Sequence, residues 1–366
     1  MKVIISGGGT GGHIFPAISI ANAVRKADPN AEILFVGALG KMEMEKVPQA
    51  GYEIVGLPVA GFHRALNLRN VGRNLLFPFK LINSLYKASS IVRKFKPDVA
   101  VGVGGYASGP VLYLAARNGV PSLVQEQNSF PGITNRILAP RVNKVCVAYP
   151  NMERFFPKEK IILTGNPVRQ SLLSNVSRQE AAEAFGLDPN RPVILVIGGS
   201  LGARSINNGV LHSLADLKDG VQLLWQTGSF YFDNIKAALE TESHADVKAM
   251  AFIRQMDMAY ALADIVVSRA GASSISELAL LGKPAILVPS PNVSEDHQTK
   301  NALALENQGA AIMIPDAKAD TLLKAAQEAL AAPERLTALG DNITTFARPN
   351  AADDIAREVI ALAQHK

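Results

Sequence analysis

With 366 residues, 48% hydrophobic and 19% charged, the chain is too long for one ordinary core and too apolar to be disordered, so two globular domains are expected. A single cysteine, Cys146, excludes an internal disulfide, and its place in the apolar run 144–148 makes it a packed thiol rather than a nucleophile. The formal charge of +5 suits a polyanion or an anionic membrane surface, but it is local: residues 54–97 hold no Asp or Glu, while Arg64, Arg69, Arg73, Lys80, Lys87, Arg93, Lys94 and Lys96 all fall there.

From the N-terminus, residues 2–6 form an apolar run too short for a signal peptide, and no later stretch has the apolar length of a membrane span, so a cytoplasmic protein is expected. Short β-branched runs, each followed by a glycine turn and a helical period, predict parallel sheets covered by helices. Residues 2–6, 32–36, 99–103, 122–125 and 144–148 are the strands of a first half, and 193–197, 222–226, 265–268, 285–288 and 311–314 those of a second. Between the halves Asn166-Pro167 disfavours helix and marks a hinge. After the break at Arg348-Pro349, a last helical stretch, 351–363, is expected to return to the first domain. Ser6-Gly-Gly-Gly-Thr-Gly-Gly-His13 and Ile197-Gly-Gly-Ser-Leu-Gly-Ala-Arg204 each close a first strand and open a helix, a weak repeat that predicts two Rossmann-like units.

The first of these turns has the makings of an anion site. Glycine lets the backbone approach a ligand, and the helix behind it presents unpaired N–H groups at the positive end of its dipole. Gly7, Gly9 and Gly12 satisfy the spacing of a dinucleotide turn, but the second strand ends in Phe35-Val-Gly-Ala-Leu39 without the acid that NAD requires, and neither turn continues into the Gly-Lys-Ser/Thr of a P-loop. His13 stands where the helix begins, ahead of Pro16, a residue tolerated in a first turn. There the cation is disfavoured, leaving a neutral imidazole able to accept a proton; the alternative is a capping or packing histidine.

A third cluster, Gly102-Val-Gly-Gly-Tyr-Ala-Ser-Gly-Pro110, also follows a strand and is a second candidate anion site. Polar groups stand at two further strand ends, Gln125-Glu126-Gln127-Asn128 and Glu295-Asp296-His297-Gln298 with Asn301 one turn on, where loop polarity and helix capping are the alternative. In Ser268-Arg-Ala-Gly-Ala-Ser-Ser-Ile-Ser-Glu277, small residues permit close backbone approach and a helix then brings in a carboxylate suited to the vicinal hydroxyls of a ribose, unless Glu277 is a plain surface residue.

Taken together with Gly104-Gly-Tyr-Ala-Ser-Gly-Pro110, Glu126-Gln-Asn128, Gly165-Asn-Pro-Val-Arg169, Gly198-Gly-Ser-Leu-Gly-Ala203 and Asp296-His-Gln-Thr-Lys-Asn-Ala302, these motifs resemble the MurG glycosyltransferases of family 28 over nearly the whole chain. The resemblance implies an α/β protein of the GT-B type, two Rossmann-like domains with parallel sheets facing a central cleft. Residues 1–168, rejoined by the C-terminal helix 349–366, would be an acceptor and membrane-associating domain, and residues 169–348 a UDP-GlcNAc-binding domain. It implies an inverting hexosyltransferase that moves GlcNAc from UDP-GlcNAc to the 4-hydroxyl of MurNAc in lipid I, giving β-1,4-linked lipid II for peptidoglycan.

By the same resemblance Ala272, Ser273, Ser274, Ile275, Ser276 and Glu277 hold the donor, Glu277 on the ribose; Ile253 borders the uracil; Ser200 and Arg169 serve the diphosphate. His297 and Gln298 meet the GlcNAc hydroxyls, Gln298 the firmer of the two. Thr10, Gly11, Gly12 and Asn128 complete the site, with Gly104, Gly105 and Tyr106 at the acceptor diphosphate. His13 is the leading candidate for the base, with Glu126 behind it. The chain has no Asp-x-Asp metal motif, so no cofactor is expected, and helix N-termini with Arg169 would stabilise the departing UDP.

Within the acid-free segment Leu75, Leu76, Phe79, Ile82, Leu85 and Tyr86 recur at helical spacing beside Arg73, Lys80 and Lys87. That pattern fits a helix lying on an anionic leaflet, as a lipid-linked acceptor requires, or an ordinary amphipathic helix turned to the core. The expected place is thus the cytoplasmic face of the inner membrane, with UDP-GlcNAc, undecaprenyl-linked lipid I and cell-wall synthesis or division proteins as partners. No nucleic acid is expected, because no basic module interleaved with aromatics is present. The other readings are a different GT-B enzyme with the same donor, a glycolipid synthase or a UDP-GlcNAc 2-epimerase, and a non-catalytic nucleotide-binding protein.

Overall fold

The computed structural model describes residues 1–59, 77–169, 172, 175–199, 201–241 and 246–364, with the side chains of 77–79 and 294 excepted. Arg64, Arg69, Arg73, Leu75, Leu76, Ser200 and the side chain of Phe79 lie outside the described residues. The chain divides into two units, Met1–Val168 with Arg348–Lys366, and Arg169–Ala347.

In the first unit β1 Lys2–Ser6, β2 Glu32–Ala38, β3 Glu53–Leu57, β4 Val99–Gly102, β5 Ser122–Glu126, β6 Lys144–Val147 and β7 Ile161–Leu163 form one parallel sheet in the order β3-β2-β1-β4-β5-β6-β7. In the second, β8 Val193–Ile197, β9 Gln222–Gln226, β10 Val247–Met250, β11 Ile265–Ser268, β12 Ala285–Leu287 and β13 Ile312–Met313 run parallel in the order β10-β9-β8-β11-β12-β13. Both are Rossmann-like sheets. The central strands are buried on both faces, as in Val3, Ile4 and Ile5 or Val193 to Val196, which is why they read as continuous apolar runs. The strand order reverses between β1 and β4 and again between β8 and β11, and in such sheets the crevice at the carboxyl ends of those strands is where ligands bind.

Helix Ala351–Gln364 packs on helix Gly11–Ala27 and buries Ile355, Ala356 and Val359 in one core with Val3, Ile5, Ile14 and Ile20. Each such aliphatic side chain contributes about 1.5–3 kcal/mol, which ties the end of the chain to the first unit. Helix Gly11–Ala27 starts early enough that Pro16 lies inside it rather than in its first turn, so the Gly12 carbonyl has no Pro16 N–H to accept. Cys146 is fully buried, and burial pushes its thiol up to about 12, so it is protonated at neutral pH and serves packing.

Helix Phe77–Phe95 turns Ser84, Ala88 and Val92 to the core. Ile82 is 65% and Tyr86 74% exposed, with Lys80 and Leu81 also exposed and Leu85 and Lys87 half-buried. Its core face is therefore made of small and medium residues, while Leu81, Ile82 and Tyr86 look outward. Among the described residues no helix is long and apolar enough to cross a membrane.

Candidate active site

In the second unit the turns after β8 and β11 flank the switch point, each leading into a helix, Arg204–Ser213 and Ala272–Leu280. Neither helix has a side-chain cap or an acid in its first turn, whereas helix Arg178–Phe185 of the same unit carries a full capping box of Ser177 and Glu180. The bare N–H groups at the two switch-point helices suit an anion. Gly202, at φ +77°, lets this turn press against the neighbouring one, since a Cβ there would lie 2.0 Å from the Thr227 carbonyl oxygen. Gln226 braces it from below: Nε2 donates to Gly199 O at 3.0 Å, and Oε1 accepts the Ile253 N–H at 2.8 Å. One buried amide thus fixes both the phosphate-type turn and Ile253.

A cavity of about 630 Å³ opens here, with Gly198, Arg204, Asn208, Arg269, Ser290 and Gln298 in its wall. Arg269 is committed to structure, donating to Val288 O, Pro289 O and Ser205 Oγ at 3.0, 3.2 and 2.8 Å and pairing with Asp316. Gln298 accepts the Ser290 N–H at 2.9 Å, which leaves its amide N–H donors uncommitted among the described residues. His297 is half-buried beside it, and Glu295 and Asp296 enter this helix at φ +59° and +52°, a left-handed backbone that non-glycine residues hold where the surrounding structure enforces it.

Glu277 is nearly buried and already busy. Its Oε1 accepts from Arg169 Nε and Nη2 at 3.1 and 2.8 Å, and its Oε2 accepts from the Tyr260 hydroxyl at 3.1 Å. Burial and the adjacent carboxylate hold the Tyr260 phenol well above its usual range, so it is a permanent donor. Two residues expected to grip different parts of a donor are therefore paired with each other. Along the same helix Ser276 donates to Ala272 O at 2.9 Å, Ala272 and Ile275 are buried, Ser274 is half-buried, and the Ser273 hydroxyl is buried with no partner among the described residues, a group that a ligand can satisfy.

In the first unit the turns after β1 and β4 touch. A Cβ on Gly7 would meet Val103 Cγ2 at 2.1 Å, and one on Gly105, at φ +81°, would meet Gly8 O at 2.3 Å. Gly105→Ala is expected to destabilise this unit by roughly 1–3 kcal/mol or more and to displace the Gly8 carbonyl, so that thermal melting and turnover fall together. Thr10 and Gly12 are exposed, Gly11 is half-buried, and Tyr106 is exposed on the second turn.

His13, half-buried, is the third residue of helix Gly11–Ala27, another helix without a side-chain cap. Its Nδ1 lies 3.2 Å from Gly8 O and 3.2 Å from Thr10 Oγ1. A carbonyl can only accept, so Nδ1 is the donor here, and in the neutral imidazole the lone pair is on Nε2. Nε2 is turned to the second glycine turn, 3.0 Å from where a Gly104 Cβ would stand.

Glu126, the alternative base, is built differently. It is 2% exposed and accepts from Asn128 N and Nδ2, Gly132 N and Asn135 Nδ2 at 3.0, 3.2, 3.1 and 2.9 Å. Four donors enclose it and burial raises its pKa, so in this structure the carboxylate braces the 126–135 loop. Asn128 is correspondingly tied to Glu126. At the hinge, Asn166 is buried between Gln125 Nε2, which it accepts at 2.9 Å, and Gln127 O, to which it donates at 3.0 Å. Sequence reasoning missed Gln226 and Tyr260, whose contacts join separate segments of the second unit.

Residues 3–147 match the glycosyltransferase family 28 N-terminal domain and residues 193–355 its C-terminal domain. A UDP-N-acetylglucosamine–N-acetylmuramyl-(pentapeptide) pyrophosphoryl-undecaprenol N-acetylglucosamine transferase of Bacteroides fragilis is 54% identical across 100% of this chain and 96% of its own. A protein of the same name from Phocaeicola vulgatus is 56% identical across 99% and 96%. The crystal structure of Acinetobacter baumannii MurG superposes with a TM-score of 0.79 at 28% identity, covering 98% of this chain and 99% of that one. A Neisseria meningitidis UDP-GlcNAc 2-epimerase bound to UDP-GlcNAc superposes at 0.68 and 14% identity over 99% and 100%, a likeness of fold alone.

Proposed function

The chain belongs to glycosyltransferase family 28, and from that premise we propose that it transfers GlcNAc from UDP-GlcNAc to the 4-hydroxyl of MurNAc in lipid I, with inversion, giving β-1,4-linked lipid II for peptidoglycan synthesis. The observation that carries this reading is identity of 54% to a transferase of that name, held across both units rather than one.

The donor belongs to the second unit, its diphosphate at the bare helix starts, its uracil beside Ile253 and its sugar at Gln298. Because Arg169 occupies Glu277 Oε1, a grip on both ribose hydroxyls requires Arg169 to turn away, and the diphosphate is the anion that draws it off. The acceptor belongs to the first unit. Its 4-hydroxyl oxygen bonds to the anomeric carbon as the bond from that carbon to the UDP oxygen breaks; the proton passes to His13 Nε2 and the charge to UDP. With no Asp-x-Asp motif, that charge falls to helix N–H groups and Arg169, so turnover is expected to be unchanged by EDTA.

A lipid-linked acceptor also asks for a membrane surface, on the cytoplasmic face of the inner membrane. Ile82 and Tyr86 stand exposed one turn apart on helix Phe77–Phe95, which also exposes Lys80, and a large apolar side chain entering the bilayer boundary contributes about 1.5–3 kcal/mol. Replacing both by Ser is expected to weaken binding to vesicles containing anionic lipid at least about tenfold in flotation. Equal flotation of the double variant would count against this surface.

A panel of UDP-sugars, each with and without a lipid-pyrophosphoryl-MurNAc acceptor, tests the assignment. UDP release is expected only when UDP-GlcNAc and the acceptor are both present; release that ignores the acceptor contradicts it.

A further inference from the structure

Glu43 is 1% exposed, and no cation pairs with it among the described residues. Its Oε1 accepts the Ala38 N–H at 2.9 Å and its Oε2 the Gly9 N–H at 3.0 Å, an arrangement that suits the ionised form. Burying a carboxylate without a counter-ion is costly, yet the chain is shaped to receive it: a Cβ on Gly8 would lie 2.1 Å from Oε1, and one on Gly37 2.5 Å from Cγ. The Gly9 N–H it holds and the Gly8 carbonyl belong to the same peptide group. That carbonyl is the acceptor 3.2 Å from His13 Nδ1. One planar amide therefore has an anion at its N–H and an imidazole at its oxygen.

We propose that Glu43 is a positioning residue for proton removal, acting on His13 through the Gly8–Gly9 peptide. The planar amide transmits both orientation and charge. Held by Glu43, the Gly8 oxygen keeps the proton on Nδ1 and the lone pair on Nε2. Polarised by the carboxylate, it also stabilises the imidazolium and offsets the helix N-terminus, which disfavours that cation. This rests on His13 as the group that receives the acceptor's proton. Glu126, the other candidate base, accepts from Asn135 Nδ2 at 2.9 Å, and that nitrogen lies 3.7 Å from a Gly104 Cβ position. Among the described residues Thr10, whose hydroxyl lies 3.2 Å from Nδ1, brings no charge, and residues 102–110 carry one ionisable side chain, the Tyr106 phenol.

The test is nitrogen NMR of His13 in the full chain, without substrate, in Glu43→Gln and Glu43→Asp. Removing the negative charge makes the imidazolium less stable, so the proton is lost at lower pH. The His13 pKa is expected to move down by roughly 0.5–1 in Glu43→Gln, with a smaller fraction of the Nδ1–H tautomer. Glu43→Asp, charged but shorter, should lie between. Turnover in Glu43→Gln should fall about five- to fiftyfold at unchanged donor KM, with the acid limb of its pH profile displaced in step with His13. A folded Glu43→Gln whose His13 keeps the native pKa and tautomer, even if slow, overturns the proposal, as does failure of both variants to fold. Failure of the base assignment is separate, because it would appear as undiminished turnover in His13→Gln while the NMR coupling persisted.

Discussion

His13→Gln is expected to lower kcat by about 10²–10⁴-fold, the usual worth of a positioned general base, with little change in donor KM or melting temperature. The donor elements lie in the second unit and His13 in the first, so loss of proton removal should leave donor binding intact. The magnitude corresponds to about 3–5 kcal/mol of transition-state stabilisation. Glu126 is not expected to substitute, because its oxygens accept from Asn128, Gly132 and Asn135. The decisive comparison is steady-state kinetics at saturating donor and acceptor. A variant within about fivefold of the native rate would remove His13 from the chemistry.

The second large effect is at Glu277, and it has two separable parts. In Glu277→Ala a charge-assisted contact to the ribose is lost, worth about 1.5–3 kcal/mol, so donor KM should rise roughly 10- to 150-fold. The same change strands the buried Tyr260 hydroxyl, which costs about 1–3 kcal/mol of folding stability. Arg169 is 42% exposed and finds water instead, so its lost pairing adds little. Adding Tyr260→Phe removes the stranded hydroxyl and should recover melting temperature without recovering donor KM. If both recover together, Glu277 acts only as a scaffold. Isothermal titration with UDP and thermal melts on the single and double variants distinguish these outcomes.

What the amino-acid sequence discloses follows burial. The core strands β1, β8, β9 and β11 are nearly or wholly buried on both faces, and their apolar runs mark them plainly. The strands that escape, β3, β7 and β10, all lie at sheet edges: Glu-Ile-Val-Gly-Leu, Ile-Ile-Leu and Val-Lys-Ala-Met are short or mixed because one side meets solvent. The glycine turns at both switch points are legible because close packing leaves no room for a Cβ, as Gly105 and Gly202 show. The groups that orient the chemistry are hidden for the opposite reason. Glu43 reaches Gly9 across 34 residues, Tyr260 reaches Glu277 across 17, and Arg169 reaches Glu277 across 108, separations no local pattern encodes. The four donors around Glu126 are hidden for a related reason, since a strand-end acid shows nothing of what encloses it.

Structure determination of the product tests the central claim most directly. After incubation with UDP-GlcNAc and a lipid-pyrophosphoryl-MurNAc acceptor, NMR of the purified lipid product is expected to reveal one GlcNAc joined β to the 4-oxygen of MurNAc, with one UDP released per linkage. An α linkage, a different attachment oxygen, or conversion of UDP-GlcNAc to its 2-epimer without use of the acceptor would contradict the account.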